Sequence, residues 1–556
     1  MILNQLNSTY RHARRYRQII NVLIKYGFGH LIEKFGVIVP RAKQRKIEDI
    51  DKKLSVPQKI VLMLQELGPT FIKLGQLLST RPDIIPENYI RELKKLQDNV
   101  HGFDFAAVKQ LIEDETKSNL DELFSFFEQN PLAAASIGQV HRAVLRGGQE
   151  VVVKVQRPGI EQIINVDLEI LKGIAALAEK RFPEIRIYDP VGKIEEFSDA
   201  IQKELDFTLE GWNIEKVKLN FEDDETVYIP KVYWDSTTRR VLTMEYIDGI
   251  KVDRPGEIAG IGINCGKIAE NAAMAIMKQI FVHGFYHGDP HPGNILINRA
   301  GKIVFIDFGL MGRIDKYTKY KLAELITGIV KRDAGKITGA ILDISVVEEK
   351  TDIRHFELDI QDLVERYYGR ALRQINISQL FSELFSLVVK YKIAIPSNFT
   401  LLIKSVITIE GVARELSPDF DIEKVARPFV QKMIYERYDP INLIKEAFFN
   451  ISEINRSLAL IPKIINMLYE RSNRDSLKLD FETTGSEKII FELNKMINRL
   501  VFSLIAASFI IGSSLIIQSN IGPFVKGLPI IGLLGFTAAG VLGLWLIISI
   551  LRTGKL

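Results

Sequence analysis

Two stretches decide the fold: "YHGDPHPGNILIN" at residues 286–298, and "IVFIDFGLMG" shortly after it at residues 303–312. Prolines and glycines that favour turns stand between apolar runs, which predicts short strands joined by tight loops. Asp289 and Asn294 lie five residues apart in the first stretch, and Asp307 opens a literal "DFG" in the second. Two carboxylates and an amide are therefore predicted on neighbouring loops, where they can serve one reaction.

Phosphoryl transfer needs such a set: magnesium ligands, a cation on the nucleotide phosphates and an acid near the attacking group. The spacing of Asp289 and Asn294, followed by Asp307, matches the kinase pattern in which the asparagine and the "DFG" acid bind Mg2+. Lys154 in "VVVKV" matches the strand lysine that holds phosphates, and Glu210 in "KELDFTLEGWN" can pair with it. We predict Asp289, Lys154 and Glu210 as catalytic residues, and Asn294 and Asp307 as metal ligands.

Two other interpretations of these motifs remain open from the residues alone. Asp-Pro, Pro-Gly and Phe-Gly pairs also suit tight loops without any chemistry. His287, Asp289 and His291 alternate, so they could meet a zinc ion, although no further histidine or cysteine cluster supports such a site. The ordered set of motifs after a strand lysine favours phosphoryl transfer over both.

The wider pattern indicates two lobes. Strand-like runs around 140–145 and 151–155 are followed by helical patterns at 161–182 and 191–220, and the chain is mostly helical after residue 312. A small mixed lobe before a helical lobe predicts an α+β, two-lobed protein-kinase-like fold. The adenine of ATP should meet the backbone of the hinge "MEYIDG", between Glu245 and Ile247.

The opposite ends of the chain have different characters. Residues 10–26 predict an amphipathic helix with clustered arginines, which either lies on a membrane surface or packs on the domain behind it. Residues 500–518 and 528–551 are two uncharged runs, each long enough to cross a bilayer. Flanking lysines and arginines place both ends of the predicted transmembrane hairpin in the cytoplasm. Small residues at four-residue spacing, Ser508/Gly512 and Gly535/Ala539/Gly543, predict close contact within the hairpin or between copies.

Composition agrees with a large intracellular globular protein. The chain has 556 residues, of which 47% are hydrophobic and 26% charged, so a substantial core is expected. The net charge of +4 is small for this length, and no nucleic-acid partner is predicted. The single cysteine, Cys265, excludes an intrachain disulfide framework and fits a reducing compartment.

Further motifs give the chain a resemblance to the UbiB family of atypical kinase-like proteins, also called aarF-domain-containing kinases. "KLGQ" at 73–76 resembles the family's K-x-G-Q motif, "AAASIGQV" at 133–140 its Ala-rich loop, and "ELD" at 204–206 its E-x-D motif. The resemblance covers about residues 60–320. These motifs are absent from ordinary kinases, which makes the match specific.

The resemblance implies roles for these motifs. A helical N-terminal extension carrying Lys73, Gly75 and Gln76 would fold over the cleft, where Glu204 and Asp206 face it. The Ala-rich loop would stand where protein kinases have a glycine-rich loop over ATP, which adds the following cofactor-binding residues: Ala133, Ala134, Ala135, Ser136, Ile137, Gly138 and Gln139.

Departures from protein kinases are visible as well. No A-P-E signature follows "DFGLMGR", and Gly288 replaces the arginine that usually binds an activation-loop phosphate. Alanines in place of glycines add a methyl group and restrict φ, so nucleotide geometry should differ. A peptide-docking activation segment is therefore not expected.

The expected organisation has six segments. They are a basic amphipathic segment (1–55), the helical extension (56–130), an N-lobe with inserted helices (131–250), a helical C-lobe (251–440), a helical linker (441–495) and the transmembrane hairpin (496–556).

The resemblance implies a membrane-anchored kinase-like ATPase that binds ATP and Mg2+ and supports ubiquinone-type isoprenoid quinone biosynthesis or related lipid handling. Expected partners are a membrane lipid or polyprenyl precursor, quinone-biosynthesis enzymes and a second copy of the chain, at a bacterial inner membrane. Alternatives are a true kinase that phosphorylates a lipid or small alcohol, and a nucleotide-binding scaffold of a membrane biosynthetic complex. A scaffold has no need to keep all five catalytic and metal-binding residues, which argues against the last.

Overall fold

A computed structural model describes most of the chain, namely residues 2–29, 54–79, 81, 85–97, 102–182, 185–186, 189–347, 351–367, 377–438, 486–519, 523–525 and 528–552. The chain divides into two compact units, residues 1–446 and 447–556. Of the predicted linker at 441–495, residues up to 485 lie outside the described residues.

Helices make up most of the first unit. In chain order they are α1 (Ile2–Lys25), α2 (Val56–Leu67), α3 (Pro69–Leu78), α4 (Glu87–Leu93), α5 (Phe105–Thr116), α6 (Leu120–Leu123), α7 (Ile160–Arg181), α8 (Pro190–Glu204), α9 (Phe207–Asn220), α10 (Pro255–Gly260), α11 (Cys265–Met277), α12 (Lys316–Lys331), α13 (Ala334–Ile344), α14 (Ile353–Arg366), α15 (Ile377–Lys390), α16 (Ser397–Leu416) and α17 (Ile422–Tyr438). A π-helical turn (Lys278–His283) extends α11, and short 3-10 turns occupy Lys94–Gln97, Trp234–Ser236 and Pro292–Asn294.

The strands are short. They are β1 (Phe124–Phe127), β2 (Ala133–Ala134), β3 (Gly138–Leu145), β4 (Glu150–Gln156), β5 (Val227–Tyr228), β6 (Val241–Glu245), β7 (Gly249–Lys251), β8 (Phe285–His287), β9 (Ile295–Asn298), β10 (Ile303–Phe305) and β11 (Met311–Arg313).

The N-lobe is built on an antiparallel sheet of order β1-β3-β4-β6, with β2 paired to β3. Alternate residues of β4, Val151, Val153 and Val155, are fully buried against α5 and its neighbours. This alternation turns Lys154 to the opposite face of the sheet. The sheet begins at β1, which lies inside the segment 56–130 that was predicted to be a helical extension.

Residues 286–298 and 303–312 form the predicted short strands. β9 and β10 pair antiparallel, with Ile295 opposite Phe305, and they belong to a sheet of order β5-β10-β9-β7. β8 pairs separately with β11. The antiparallel register places the residues just before β9 and just after β10 at the same end of the hairpin.

The extension and α1 form a core of their own. Ile19 and Val22 of α1 are buried with Val61 and Leu64 of α2. Arg15 donates to both carboxylate oxygens of the fully buried Asp167 on α7, at 2.6 and 2.9 Å. Packing on the domain behind it, one of the two roles left open for α1, is therefore the observed arrangement.

The second unit is a pair of antiparallel helices, α18 (Ser486–Ser519) and α19 (Ile530–Arg552), joined through β12 (Phe524–Val525) and β13 (Leu528–Pro529). Phe502–Ser519 is long and apolar enough to cross a membrane, whereas the apolar part of α19 among the described residues, Ile530–Trp545, is shorter. One membrane span is thus supported by length and composition, and the predicted two-span hairpin is not confirmed.

The contact between these helices differs in part from the predicted one. A Cβ on Gly535 would approach Ser513 Oγ to 2.0 Å, so the helices meet there without room for a side chain. Ala539 is buried as expected, but Ser508 is exposed and Gly512 has open space around its Cα. Ser513, one residue after the predicted Gly512, is the small residue of α18 that meets Gly535. Contact between copies through Ser508 and Gly512 stays a prediction.

Candidate functional site

Lys154 and Glu210 form a buried ion pair between β4 and α9. Lys154 Nζ lies 3.0 and 2.8 Å from the two carboxylate oxygens of Glu210, and both side chains are largely inaccessible. Burial alone would lower the pKa of Lys154, but the negative charges of Glu210 and Asp307 outweigh it and raise the pKa. The lysine is therefore held as a cation in the cleft, as phosphate binding requires.

Helix α9 also fixes the "DFG" motif. The backbone N–H of Phe308 points to Glu210 Oε1 at 3.4 Å, and Asn213 Nδ2 donates to the carbonyl of Phe308 at 3.0 Å. Burial would raise the pKa of Asp307, but the charge of Lys154 and the N–H of Gly309 outweigh burial and lower it. Asp307 is thus an ionised carboxylate in a shielded position.

Asn294 stands at the same end of the β9–β10 hairpin as Asp307. The N–H of Ile306 donates to the carbonyl of Asn294 at 3.1 Å, which fixes the two loops together. Asn294 Nδ2 donates to the carbonyl of Asp289 at 3.3 Å, so the donor end of the amide is turned towards the loop and Oδ1 is the atom that would serve as a metal ligand. An ionised carboxylate and an amide oxygen are ligands that fit Mg2+.

The zinc alternative finds no support. His287 is buried, and its Nδ1 accepts the backbone N–H of Asp289 at 3.1 Å. Burial lowers the pKa of His287, which therefore stays neutral and stabilises the loop through this hydrogen bond. In the part of the chain that the structure describes, no group of three or more His, Cys, Asp and Glu side chains could hold a metal ion.

Asp289 forms an ion pair that was not predicted from the sequence. Lys404 of α16 places Nζ 2.9 Å from Asp289 Oδ1. Lys404 is the sole charged residue between Asn398 and Ile409 in "NFTLLIKSVITI". A single lysine in an otherwise uncharged helical stretch was the available signal, but the sequence does not indicate which of the chain's many acids it pairs with.

The Ala-rich loop is a tight structure on β2 and β3. The N–H of Ala135 donates to the carbonyl of Gly138 at 2.7 Å, and a Cβ on Gly138 would approach the carbonyl oxygen of Val155 to 2.5 Å. Gly138 is thus required by the close approach of two strands. The loop includes the exposed Ala133 and the half-buried Ala134.

Not every predicted residue of this loop faces the cleft. Gln139 is buried, accepts the N–H of Phe103 at 2.8 Å and donates to its carbonyl at 3.2 Å. Ile137 is buried in the main hydrophobic core. Both side chains therefore anchor the loop, and a nucleotide contact by either would have to use the backbone.

The hinge follows β6. The carboxylate of Glu245 accepts from the hydroxyl of Tyr228 and the N–H of Lys231, while the N–H of Tyr246 donates to the carbonyl of Glu150. The backbone N–H of Glu245 donates to the carbonyl of Lys231. The side chain and N–H of Glu245 are thus used within the N-lobe, so an adenine contact at the hinge would use the carbonyl of Glu245 or the backbone at Ile247.

A charge pair joins the extension to the E-x-D motif. Lys73 of α3 pairs with Glu204 at the end of α8. Asp206, the alternative partner, caps the N-terminus of α9 by accepting from the N–H and hydroxyl of Thr208. Gly75 and Gln76 both contact Leu96. There is no room for a side chain at position 75, because a Cβ there would clash with Leu96 Cδ1. Gln76 Nε2 donates a hydrogen bond to the carbonyl of Leu96.

Three family models match this chain. The ABC1 atypical kinase-like domain matches residues 95–341, the UbiB helical domain 360–421, and the ABC1/UbiB kinase-like C-terminal domain 484–552. Helix α16, with Lys404, falls in the second match and the "DFG" motif in the first. The site therefore combines residues from two of the matched regions.

Relatives cover nearly all of the chain. A protein of Clostridium pasteurianum, named as an uncharacterized protein in the hydrogenase 1 5' region, is 37% identical over 99% of this chain and 100% of its own length. A probable protein kinase UbiB of Pseudomonas fluorescens is 35% identical over 76% of this chain and 79% of its own. Among solved structures, the complex of Rv3197 with erythromycin from Mycobacterium tuberculosis matches with 22% identity and a TM-score of 0.47, over 70% of this chain and 97% of that one.

Proposed function

The chain belongs to the UbiB family of ABC1 atypical kinase-like proteins, and from this membership we propose that it binds Mg-ATP and uses it in isoprenoid quinone biosynthesis or related lipid handling. The cleft would act as an ATPase, with hydrolysis coupled to access to a membrane precursor. Phosphorylation of a lipid or small alcohol is the second candidate.

The observation that carries this proposal is the ion pair of Lys154 and Glu210 beside the ionised Asp307. A buried charge pair is costly to maintain unless it is well paired, and here it leaves a fixed cation at the predicted phosphate position. Lys154 would hold the phosphates, and Asn294 and Asp307 would hold magnesium. When bound, the metal neutralises charge that develops on the transferred phosphoryl group.

Asp289 would orient the attacking group. It lies on the loop between β8 and β9, on the wall of a cavity of about 730 Å³ that also includes residues of α4 and α16. Water or an acceptor can therefore approach its carboxylate without passing the nucleotide. This access is the reason to keep the kinase alternative.

A protein substrate fits less well. The segment after Asp307 forms β11 within a few residues, and α12 begins at Lys316. A Cβ on Gly288 would approach Leu401 to 2.8 Å, so the position that carries arginine in protein kinases is filled by α16. Neither a long activation segment nor its phosphate-binding arginine has a place here.

Membrane attachment through the second unit is part of the proposal. Removing residues 496–556 should release the protein from membranes while the nucleotide site stays folded, since that site lies in residues 1–446. If the truncated protein still sediments with membranes after a high-salt wash, this prediction is wrong. The wash is needed because salt screens a purely electrostatic attachment.

The direct test is Mg2+-dependent binding of ATP to the full-length protein in detergent, followed by phosphate release with and without added lipid. A search for phosphorylated lipid in the same reactions separates ATPase from kinase. Asp289→Asn should keep nucleotide affinity and lower turnover, because Asp289 acts on the attacking group. Absence of Mg2+-dependent ATP binding by the wild-type protein would overturn the proposal.

A further inference from the structure

One face of α16 lies directly on the catalytic loop. Ser405 Oγ donates to the carbonyl of His287 at 2.7 Å, Leu401 fills the space beside Gly288, and Lys404 pairs with Asp289. Positions 401, 404 and 405 are three and four residues apart, so they share one side of the helix. Three consecutive residues, the last of β8 and the first two of the catalytic loop, are thus each contacted by this one helix.

Lys404 is an unusual residue for this face. Its Nζ is almost fully buried, although about 19% of the side chain is accessible, and it stands in an otherwise uncharged stretch of the helix. Placing an ammonium group out of water costs several kcal/mol unless a counter-charge is close. Asp289 is that counter-charge. A charge pair at a position that apolar side chains could fill needs a functional reason.

The composition of the catalytic loop supplies a reason for this charge pair. Between Asp289 and Asn294 the chain reads Pro-His-Pro-Gly, so the loop brings no lysine or arginine of its own to the acid. An acid that receives a proton from an attacking group must be held in one orientation. The cation that can do this comes from α16, more than a hundred residues further along the chain.

We propose that Lys404 is a positioning residue of the phosphoryl-transfer site, which holds Oδ1 of Asp289 so that Oδ2 is presented to the attacking hydroxyl or water. The inference rests on the proposed function, because it assigns Asp289 its role in ATP chemistry. Asp289 and Lys404 line the same 730 Å³ cavity, so the orientation is set at the side from which an acceptor arrives.

The charges around Lys404 give it a recognisable pH signature. Burial lowers the pKa of Lys404, and Lys94 and Lys73 act in the same direction, while Asp289 opposes them. His287, packed beside it, stays neutral because burial lowers its own pKa. Lys404 should therefore lose its proton at a lower pH than an ordinary lysine, whose pKa is about 10.4. Lys154 keeps its proton over this range because its pKa is raised.

The test compares Lys404→Met, Lys404→Arg and the exposed control Lys424→Met on α17 in the full-length protein. Phosphate release is measured from about pH 6 to pH 10, with Mg-ATP affinity and thermal unfolding of each variant. Wild-type turnover should fall on the alkaline side as Lys404 loses its proton. Lys404→Arg should keep turnover and shift this fall to higher pH, because arginine stays charged.

Lys404→Met should lose roughly 10- to 100-fold in kcat at neutral pH, the scale expected for a misplaced catalytic group, with Mg-ATP affinity unchanged. Lys424→Met should match the wild type. Full turnover in a folded Lys404→Met protein would overturn the inference while the proposed function stands. If Lys404→Met does not fold, the arginine variant decides: an alkaline fall identical to the wild type overturns the inference. Failure of the wild type to bind Mg-ATP would overturn both.

Discussion

The nucleotide half and the acceptor half of the cleft are built in different ways. Lys154 and Asp307 each sit in a short motif whose neighbours indicate its role. Lys154 forms an ion pair with the buried Glu210, and the negative charges of Glu210 and Asp307 outweigh burial and raise the pKa of Lys154. On the acceptor side, Asp289 has a motif, but its partner Lys404 lies on a helix with none. The residues of the nucleotide half can therefore be recognised from sequence motifs. In the acceptor half, a residue from a helix without a motif completes the site.

The largest effect that tests this contrast is expected from Lys154→Met. The substitution leaves Glu210 buried without its counter-charge, which should lower the free energy of unfolding by about 3 kcal/mol, the scale for one lost partner of a buried pair. Burial raises the pKa of Glu210, and Lys154 opposes that rise in the wild type. Without the lysine, Glu210 should take up a proton as the pH falls, so the loss should shrink towards acidic pH.

Denaturant unfolding at several pH values measures this, with the exposed Lys218→Met on α9 as the control. Adding Glu210→Gln to Lys154→Met should restore part of the stability. Equal stability of wild type and Lys154→Met at neutral pH would show that the nucleotide half does not depend on this pair.

Asp307→Asn should come next in size. A neutral amide loses most of its attraction for the metal, so Mg2+-dependent affinity for ATP should fall by roughly 100-fold, at the top of the range for perturbed metal sites. Affinity measured without Mg2+ should change much less. The exposed Asp253→Asn is the matched control, and an unchanged Mg2+ dependence in Asp307→Asn would contradict the metal assignment.

The sequence could predict the nucleotide half because strand alternation and helix spacing place its residues locally. β4 buries alternate valines and so turns Lys154 to the cleft, and the hairpin register brings Asn294 and Asp307 to one end. It could not reveal that Gln139 binds the backbone of Phe103, because a buried amide and a ligand-binding amide look alike in sequence. Nor could it choose between Glu204 and Asp206, since capping by Asp206 depends on where α9 begins.

Gly288→Ala tests the acceptor half with a smaller expected effect. The new methyl would meet the end of Leu401 at 2.8 to 2.9 Å, and overpacking of this kind costs about 1–3 kcal/mol. Displacing α16 should also move Lys404 from Asp289, so kcat should fall about tenfold, equivalent to roughly 1.4 kcal/mol in the barrier. Mg-ATP affinity should not change.

Leu401→Ala combined with Gly288→Ala supplies the control, because it makes room for the added methyl. Recovery of kcat in the double variant would tie turnover to the fit of α16 on the loop. A nucleotide-binding defect in Gly288→Ala would show that the two halves are not separable in this way.

The smallest expected effect concerns Lys73, whose charge acts on both halves. It lowers the pKa of Asp307 on the nucleotide side and of Lys404 on the acceptor side, although its direct partner is Glu204. Lys73→Glu should place like charges together in a partly dehydrated cleft and loosen the extension. Glu204→Lys in the same chain should restore the attraction, with a coupling energy of about 1 kcal/mol between the positions.

A double-mutant cycle on unfolding and on protease sensitivity of the extension measures this coupling, and Asp206 provides the matched comparison. Asp206→Lys should cost about 1 kcal/mol by removing a helix cap, but it should show no coupling to Lys73, because that carboxylate is held by Thr208. Coupling at 206 in place of 204 would reverse the assignment of partners. If the variants at 73 and 204 are coupled and also change both kcat and Mg-ATP affinity, the extension acts on the nucleotide half and the acceptor half together. The cleft would then respond to the extension as one site.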